Sequence, residues 1–317
     1  MSSGNGERWD PLRPQLSPVF LEKSLDVLRK NFSFISLQAA VEILGGGRAP
    51  VANAIVMTFD DGYRSNLTHA LPILRKYGIP ATFFLSTGQI ERRIPFWVDR
   101  LDFAIQQADL DGRDVQIGGE KIRIRGRNQS DLRKSYSRIR NAAKRMSGDY
   151  MEMDNALNSL AETLETESGR SLNDFFEDDP WSGLMTAEEI KSATGNDITF
   201  GSHTVDHFRM NMSDSKFMRK QFEDSKKSIE KWTGEECRFL CYPYGIYNRE
   251  GMEIARKCGY TAALTSTPGR NKIGADLYSL RRTAFPMNEE MYKILPTANG
   301  LASTLGRIKS SLKISAE

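Results

Sequence analysis

At residues 54–62 the chain reads AIVMTFDDG. The apolar run at 54–59 is short and bounded by turn-forming residues, which predicts a buried strand of the parallel type. A helical pattern follows from about residue 64 to 77, Gly78 ends it, and a second apolar run occupies 81–85. Because strand, helix and strand in this order form a βαβ unit, the sequence predicts an α/β fold.

The alternation of helices and strands extends to both sides of this unit. Ser17 and Ser36 each precede a helical pattern as N-cap residues, and Thr186 with a glutamate three residues later forms a capping box. Further strands are predicted at 198–201, 238–242, 261–264 and 280–283, with helices at 187–193, 214–232 and 248–258. These segments predict a parallel sheet whose strands are joined by helices.

Residues 91–180 interrupt the alternation. The sequence there predicts a hairpin at 115–125 and two amphipathic helices. We therefore expect one domain over 1–317, with a core at 15–90 and 181–290, a mainly helical insertion at 91–180 and a tail at 291–317.

Charge is sorted within this insertion. Residues 113–145 hold 11 basic and 3 acidic side chains, whereas residues 146–180 hold 1 basic and 10 acidic side chains. One interpretation is that the two halves pack together and neutralise each other. The other is a basic face that binds an anionic polymer or a membrane surface.

Composition excludes several classes of protein. The 317 residues include 44 basic and 41 acidic side chains, a net charge of +3 that is too small for a dedicated nucleic-acid binder. Uninterrupted apolar runs reach only four residues, so no transmembrane segment is predicted, and the first thirty residues contain no signal peptide. Three cysteines do not indicate a secreted disulfide scaffold. We expect a cytoplasmic protein, with membrane-peripheral location as an alternative, unless the chain lacks its N-terminal start.

Two adjacent carboxylates, Asp60 and Asp61, follow the first strand. Like charges this close disfavour each other's ionisation unless something compensates them. Binding of a metal by one carboxylate would leave the other free to act as a base. The alternative role, a helix N-cap, needs only one of the two side chains.

His203 and His207 lie four residues apart, directly after the predicted strand at 198–201. On a helical turn this spacing places both imidazoles on one face, where they can share a metal. Two unrelated core or surface histidines would give the same pattern. Thr204 stands where an HExxH protease has its glutamate, so that mechanism lacks its base.

The carboxyl ends of parallel strands meet at one edge of a sheet, where barrel enzymes have their active sites. Two histidines and one aspartate there would form a three-ligand site with open positions, typical of a catalytic metal. A water bound to such a metal becomes a nucleophile near neutral pH, and the second aspartate can accept its proton. The run CYPYG at 241–245 ends another strand, either as a plain turn or as a backbone donor for an oxyanion.

Taken together, these motifs resemble the polysaccharide deacetylases, the NodB-homology group or carbohydrate esterase family 4. The resemblance rests on TFDDG at 58–62, HTxxH at 203–207 and YPYG at 242–245, in this order and spacing. The segment PFWVDR at 95–100 and the opening Ser17-Pro18 helix are similar to the bacterial polysaccharide-cluster branch. The resemblance covers roughly 15–90 and 180–290.

The resemblance implies a distorted (β/α) barrel with about seven strands. It implies a divalent metal, usually zinc, held by Asp61, His203 and His207, with Asp60 as the general base. The backbone N–H of Tyr244 would polarise the acetyl carbonyl. Substrate contacts are expected from further residues of the same motifs, Phe59, Tyr242 and Pro243.

The implied reaction is hydrolysis of N-acetyl groups on amino sugars of a polysaccharide or its lipid-linked oligosaccharide precursor, as in exopolysaccharide biosynthesis. Alternatives on the same fold are an O-acetyl esterase and a catalytically weak carbohydrate-binding or scaffold protein. A non-haem iron oxygenase would also use two histidines and a carboxylate, but the adjacent aspartates and the YPYG turn fit it poorly.

Three features depart from the family pattern. Cys241 stands where many members have an arginine that orients the base, and Arg281 or Arg282, near a late strand end, could replace it. No histidine follows His207, so the usual general acid has no counterpart. The branch usually begins with a strand carrying Tyr-His, and no such strand is predicted before the Ser17 helix.

Overall fold

The computed structural model of the chain describes residues 9–146, 150–195, 197–287 and 289–300. Elements are numbered along the chain. The α-helices are α1 (Pro18–Arg29), α2 (Leu37–Leu44), α3 (Leu71–Lys76), α4 (Thr87–Arg92), α5 (Trp97–Gln107), α6 (Gln129–Arg145), α7 (Tyr150–Ser168), α8 (Ala187–Ala193), α9 (Ser215–Thr233), α10 (Arg249–Lys257) and α11 (Ile294–Ala298). The strands are β1 (Ser33–Phe34), β2 (Ala54–Ile55), β3 (Met57–Phe59), β4 (Ala81–Leu85), β5 (Asp114–Ile117), β6 (Glu120–Arg123), β7 (Ile198–Ser202), β8 (Phe239–Cys241) and β9 (Ala262–Leu264).

Two compact units divide the chain. The larger combines Leu16–Arg93 with the described part of Leu184–Glu317, and the smaller combines Ile94–Gly183 with the described part of Met1–Gln15. The insertion predicted at 91–180 differs from the limits of the longer segment of the smaller unit by three residues at each end. The description of 1–317 as one domain with an insertion stays a prediction.

A curled sheet of five parallel strands forms the centre of the larger unit, in the order β3-β4-β7-β8-β9. Neighbouring strands pair in parallel, with Met57 opposite Ala81 and Leu85 opposite Ser202. Strands β1 and β2 form a separate parallel pair. The described part of the chain thus contains seven parallel strands, five of them in a half-barrel, and the predicted α/β fold of the NodB type is confirmed.

The apolar runs become buried strands because parallel sheets have both faces covered. All five residues of β4 are buried, and Phe83, Phe84 and Phe239 are at most 1% exposed. Full burial of a side chain of this kind contributes about 1.5–3 kcal/mol relative to its exposure to water. This core fixes the strands whose carboxyl ends carry the polar residues described below.

Capping residues start several helices where the sequence predicts them. The side chains of Ser17, Ser36 and Thr186 each accept a hydrogen bond from a backbone N–H in the first turn, and the capping box of Thr186 with Glu189 is complete. Helices α9 and α10 begin within one residue of their predicted starts. No helix within the described ranges is both long enough and apolar enough to cross a bilayer.

The helix predicted at 64–77 is not a continuous α-helix. Asn66–Ala70 forms a π-helical turn, and α3 begins only at Leu71, whose N–H bonds to the carbonyl of Asn66 five residues back. Pro72 explains the wider turn, because its ring lacks an N–H and would clash with the carbonyl four residues earlier in an α-helix.

The strand predicted at 280–283 is wrong beyond its first residue. Leu280 alone forms a parallel bridge, to Leu264. The side chain of Asn271 accepts from the N–H of Arg281 and donates to its carbonyl, in place of a neighbouring strand. Side-chain bonds of this kind compete with sheet pairing, so the chain leaves the sheet here.

The smaller unit contains the predicted hairpin, formed by β5 and β6 around Gly118 and Gly119, and the two predicted amphipathic helices, α6 and α7. Its basic half has local acidic partners, since Arg145 pairs with Glu120 and Lys121 pairs with Asp114. The pair of Arg113 with Glu167 joins the basic and acidic halves. Charges within the hairpin region therefore neutralise part of the basic segment.

Candidate active site

Polar residues gather at the carboxyl ends of β3, β7 and β8. Asp60 and Asp61 directly follow β3, His203 directly follows β7, and Tyr242 directly follows β8. Because these strands are parallel, their carboxyl ends lie at one edge of the sheet. The structure therefore brings together the aspartate pair, the histidine pair and the YPYG turn.

Asp61, His203 and His207 converge on one point. The Nε2 atoms of His203 and His207 lie 3.5 and 3.4 Å from the same atom, Oδ1 of Asp61. The ligand atoms of the three residues all lie within 4.8 Å of one another. Tetrahedral zinc with bonds of about 2.1 Å would hold its ligands about 3.4 Å apart, so the observed spacing suits such an ion.

The chain reaches this arrangement through strained loops, not through a helical turn. The φ angles are +75° at Asp61, +68° at Thr204 and +51° at His207, in the left-handed region that non-glycine residues rarely adopt. Each such residue costs on the order of 1 kcal/mol and is typical of functional sites. The expectation of a helical turn at 203–207 is wrong, because the loop folds back toward Asp61 and brings the imidazoles together.

Burial keeps both imidazoles neutral. It lowers the pKa of His207 to about 4, and it lowers the pKa of His203 despite the opposing charge of Asp60. The Nδ1 atom of His203 donates to the carbonyl oxygen of Cys241 at 2.7 Å, so its Nε2 carries the lone pair that faces Asp61. Neutral imidazole and carboxylate are the ligands that zinc and similar divalent ions accept.

The neighbouring carboxylate, Asp60, is held by Arg282. The Nη1 and Nη2 atoms of the guanidinium lie 2.7 and 2.8 Å from Oδ1 and Oδ2 of Asp60. Its remaining donors reach Oγ1 of Thr58, the carbonyl of Thr265 and Sγ of Cys241. Five N–H groups therefore meet five acceptors, which fixes the guanidinium in place.

Arg282 also determines the charge of Asp60. Burial raises the pKa of Asp60, but the charges of Arg282 and His203 outweigh this effect and lower it to about 2. Asp60, His203 and Cys241 form a second group of ligand atoms within 4.8 Å. Because a guanidinium already occupies both oxygens of Asp60, and burial raises the pKa of the Cys241 thiol, the group around Asp61 is the better metal site.

Arg281 lies apart from these residues. Its guanidinium donates to the carbonyl of Pro268, and Asn271 holds its backbone. Of the two arginines expected near the position of the missing one at residue 241, the structure brings Arg282 to Asp60 and turns Arg281 away.

The YPYG turn places Tyr244 beside the ligand group. Pro243–Gly245 is a 3-10 turn in which Tyr244 has a φ of +59°, and the Tyr244 ring lies 4.7 Å from the His207 ring, edge to face. Gly245 has a φ of +68°, and a Cβ there would lie 2.5 Å from the backbone nitrogen of Ser266. The turn therefore requires glycine at this position.

The expected substrate contacts are only partly accessible. Tyr242 is 0% exposed, and its hydroxyl donates to the carbonyl of Tyr278. The prediction that Tyr242 contacts substrate is wrong, because its ring belongs to the core. Pro243 is also buried, and Phe59 is half-buried with its ring against Phe83. Substrate contacts by Phe59 and Pro243 stay predictions.

His69 lies away from the ligand group. It is exposed on the π-helical turn, with Nδ1 2.9 Å from Oγ1 of Thr68. The sequence contains three histidines, and the other two are His203 and His207. A protonated imidazole is therefore not available as a separate general acid.

Gln221, on α9, was not identified from the sequence. Its side chain contacts the backbone of the loop that carries both histidines. The signal was present, because Gln221 interrupts the apolar stripe of α9 between Met218 and Phe222. A long polar side chain on a buried face needs a hydrogen-bond partner in the interior.

The chain belongs to the polysaccharide deacetylase family, because the family model with that description matches residues 47–263, more than half of the chain. This confirms the resemblance seen in the sequence. The YxkH protein of Bacillus subtilis (strain 168), named for the same family, is 31% identical over 98 residues. That alignment covers 31% of this chain and 35% of the relative, so the chain spans about a third of the relative's length.

Solved deacetylase structures share the fold. The deacetylase PplD of Streptococcus pyogenes, solved in complex with acetate, superimposes with a TM-score of 0.58 at 17% identity, over 94% of this chain and 92% of its own. IcaB from Ammonifex degensii gives a TM-score of 0.57 at 18% identity, over 91% of this chain and 93% of its own. At these identities the similarity concerns the fold, and the chemistry must be argued from the site.

Proposed function

We propose that this chain is a metal-dependent hydrolase that removes N-acetyl groups from amino sugars of a polysaccharide, or of its lipid-linked precursor, in exopolysaccharide biosynthesis. One observation carries the proposal. Asp60, held by two hydrogen bonds from Arg282, lies next to the converging atoms of Asp61, His203 and His207. Two adjacent carboxylates thus have different environments, as expected of one metal ligand and one base.

Asp61, His203 and His207 would hold a divalent ion, and we propose zinc. When bound, the ion supplies the acidity that makes water a nucleophile near neutral pH. Asp60 accepts a proton from the attacking water. Each of its oxygens has a second lone pair besides the one used by Arg282, so the ion pair leaves Asp60 able to act as a base.

Tyr244 would bind the acetyl group. Its backbone N–H donates to the carbonyl oxygen of the acetyl group, on which negative charge develops during attack. The support for this role is the position of Tyr244, whose ring contacts that of His207 and whose backbone is held in a left-handed turn. Because the donor belongs to the main chain, the tyrosine ring is not required for it.

Asp60 is also the group that we propose to protonate the leaving amine. The proton taken from water passes to the amine nitrogen as the carbon–nitrogen bond breaks, which yields acetate and a free amino sugar. Asp60 is suited to both steps because it is next to the ligand group, and His203 and His207 are both committed as ligands.

An O-acetyl esterase would use the same groups, and a carbohydrate-binding scaffold would need none of them to react. Acetate release by purified protein, with and without added zinc, separates the three functions. The substrates are N-acetylhexosamine oligomers and an O-acetylated glycan. We expect zinc-dependent release from the N-acetylated oligomers. Release from the O-acetylated glycan alone would identify an esterase, and release from neither by the zinc-loaded protein would identify a scaffold.

A further inference from the structure

Gln221 is a buried amide that contacts the loop between the two histidine ligands. It is 4% exposed on α9. Its Oε1 accepts hydrogen bonds from the backbone N–H groups of Val205 and Asp206, at 3.0 and 2.8 Å, and its Nε2 donates to the Asp206 carboxylate. One side chain therefore fixes the two residues midway between His203 and His207.

The rest of this loop is fixed by α4 and β7. The first two N–H groups of α4 donate to the carbonyls of Thr204 and Val205, at 3.1 and 2.8 Å. Ser202, the last residue of β7, accepts from the N–H of Thr204 through its Oγ at 3.1 Å. Gln221 supplies acceptors for the next two N–H groups, so the loop is held from both sides.

The loop needs this support because its backbone is strained. Thr204 and His207 both have a positive φ, which non-glycine residues keep only where their surroundings impose it. The contact with α4 is tight, since a Cβ on Gly88 would lie 2.7 Å from the carbonyl oxygen of Val205. Loss of the contacts on the α9 side would let the loop relax, and the two imidazoles would separate.

We propose that Gln221 is a positioning residue for metal binding, which acts on His203 and His207 through the backbone between them. This inference rests on the proposed function in one respect, that these histidines and Asp61 bind a metal. The amide suits the position because it combines an acceptor for two N–H groups with a donor for the Asp206 carboxylate. A glutamate would keep the acceptor and place a second negative charge against Asp206.

Cobalt(II) titration of the wild type and of Gln221→Leu tests the proposal, with the dissociation constant and the visible spectrum of bound cobalt as readouts. Leucine has a similar volume and cannot accept a hydrogen bond. Groups that support metal ligands typically contribute 10- to 100-fold in affinity, so we expect about a tenfold or larger loss and an altered spectrum. Unchanged affinity and spectrum in a folded Gln221→Leu would overturn the proposal.

A second pair of variants covers the case in which Gln221→Leu does not fold. Gln221→Glu should weaken cobalt binding, because its carboxylate faces that of Asp206. Adding Asp206→Asn restores a donor–acceptor pair with its polarity reversed, and should bring the affinity back toward that of the wild type. A folded Gln221→Glu with wild-type affinity, or no recovery in the double variant, would overturn the proposal.

Ile229→Val is the matched control, since Ile229 is 1% exposed on the same helix and packs in its core. Unfolding of all variants without metal is followed by circular dichroism. A merely structural role would lower stability in Gln221→Leu and Ile229→Val while leaving cobalt affinity and spectrum unchanged in both. Failure of the wild type to bind cobalt would instead overturn the metal centre itself, and this inference with it, and all variants would then behave alike.

Discussion

The carboxylate of Asp60 and the guanidinium of Arg282 meet edge to edge, with Nη1–Oδ1 at 2.7 Å and Nη2–Oδ2 at 2.8 Å. Two parallel hydrogen bonds between charged groups fix orientation as well as distance. Asp60 is thereby held as an ionised carboxylate beside Asp61 and apart from the atoms that would bind a metal. The pair replaces, from another part of the chain, the arginine expected at position 241.

Replacement of Arg282 by alanine should slow acetate release by about 100-fold or more, because small misplacement of a reacting group costs this much. Bound zinc should remain, since Arg282 contacts none of the three ligands assigned to it. Arg281→Ala is the matched control, because Arg281 donates to Pro268 and does not contact Asp60. Equal losses in the two variants, measured as kcat with zinc content, would contradict the assignment of Arg282.

Asp60→Asn should abolish most activity while leaving the metal in place. Asparagine has nearly the same shape but cannot take a proton from water, and general bases typically contribute about 100- to 10,000-fold. Acetate release and elemental analysis of the same sample check both parts. Full activity in Asp60→Asn would assign the base to another residue.

Removal of zinc by a chelator should stop acetate release, and added zinc should restore it. His207→Ala should weaken zinc binding by more than the roughly 10- to 100-fold that loss of a supporting group costs, because it removes a ligand. His69→Ala serves as the control, since His69 is exposed and away from the ligand group. Equal zinc affinity in His207→Ala and His69→Ala would contradict the ligand assignment.

Asp102, in the smaller unit, should make stability depend on pH. Burial raises its pKa from 3.8 to about 6, against the opposing hydrogen bonds from the N–H of Leu12 and the amide of Gln106. Between these values the folded chain binds more protons than the unfolded chain, so the free energy of unfolding falls as pH rises from 4 to 6. The contribution is fully present below pH 4 and is lost above pH 6.

Asp102→Asn should remove this dependence. Relative to the wild type, its free energy of unfolding should increase by up to about 3 kcal/mol between low and neutral pH, at 1.36 kcal/mol per pKa unit. Urea unfolding of both proteins at several pH values measures the difference, with the exposed Asp109→Asn as control. A difference that stays constant with pH would contradict the shifted pKa of Asp102.

Much of the fold could be predicted because its signals are local. The run at 54–59 and that at 81–85 are apolar throughout, and parallel strands are buried on both faces. The meeting of Asp61 with His203 followed from the same logic, since parallel strands present their carboxyl ends at one edge. Pairing of strand ends therefore located the site before its geometry was known.

The remaining features depend on contacts that sequence spacing does not encode. The spacing of His203 and His207 is that of a helical turn, but a strained loop brings their rings together. The choice between Arg281 and Arg282 depends on Asn271, which binds the backbone of Arg281 after the chain leaves the sheet. In both cases tertiary hydrogen bonds override the local pattern.

The partner of the base comes from the end of the described chain. Asp60 and Arg282 are separated by 222 positions, and Arg282 follows the last backbone bridge to the sheet, at Leu280. During synthesis from the N-terminus, the residues that converge with Asp61 emerge well before Arg282 does. An unfinished chain that stops before Leu280 would thus contain every proposed ligand without an aligned base, and completion of translation becomes the step that turns a metal-binding polypeptide into a hydrolase.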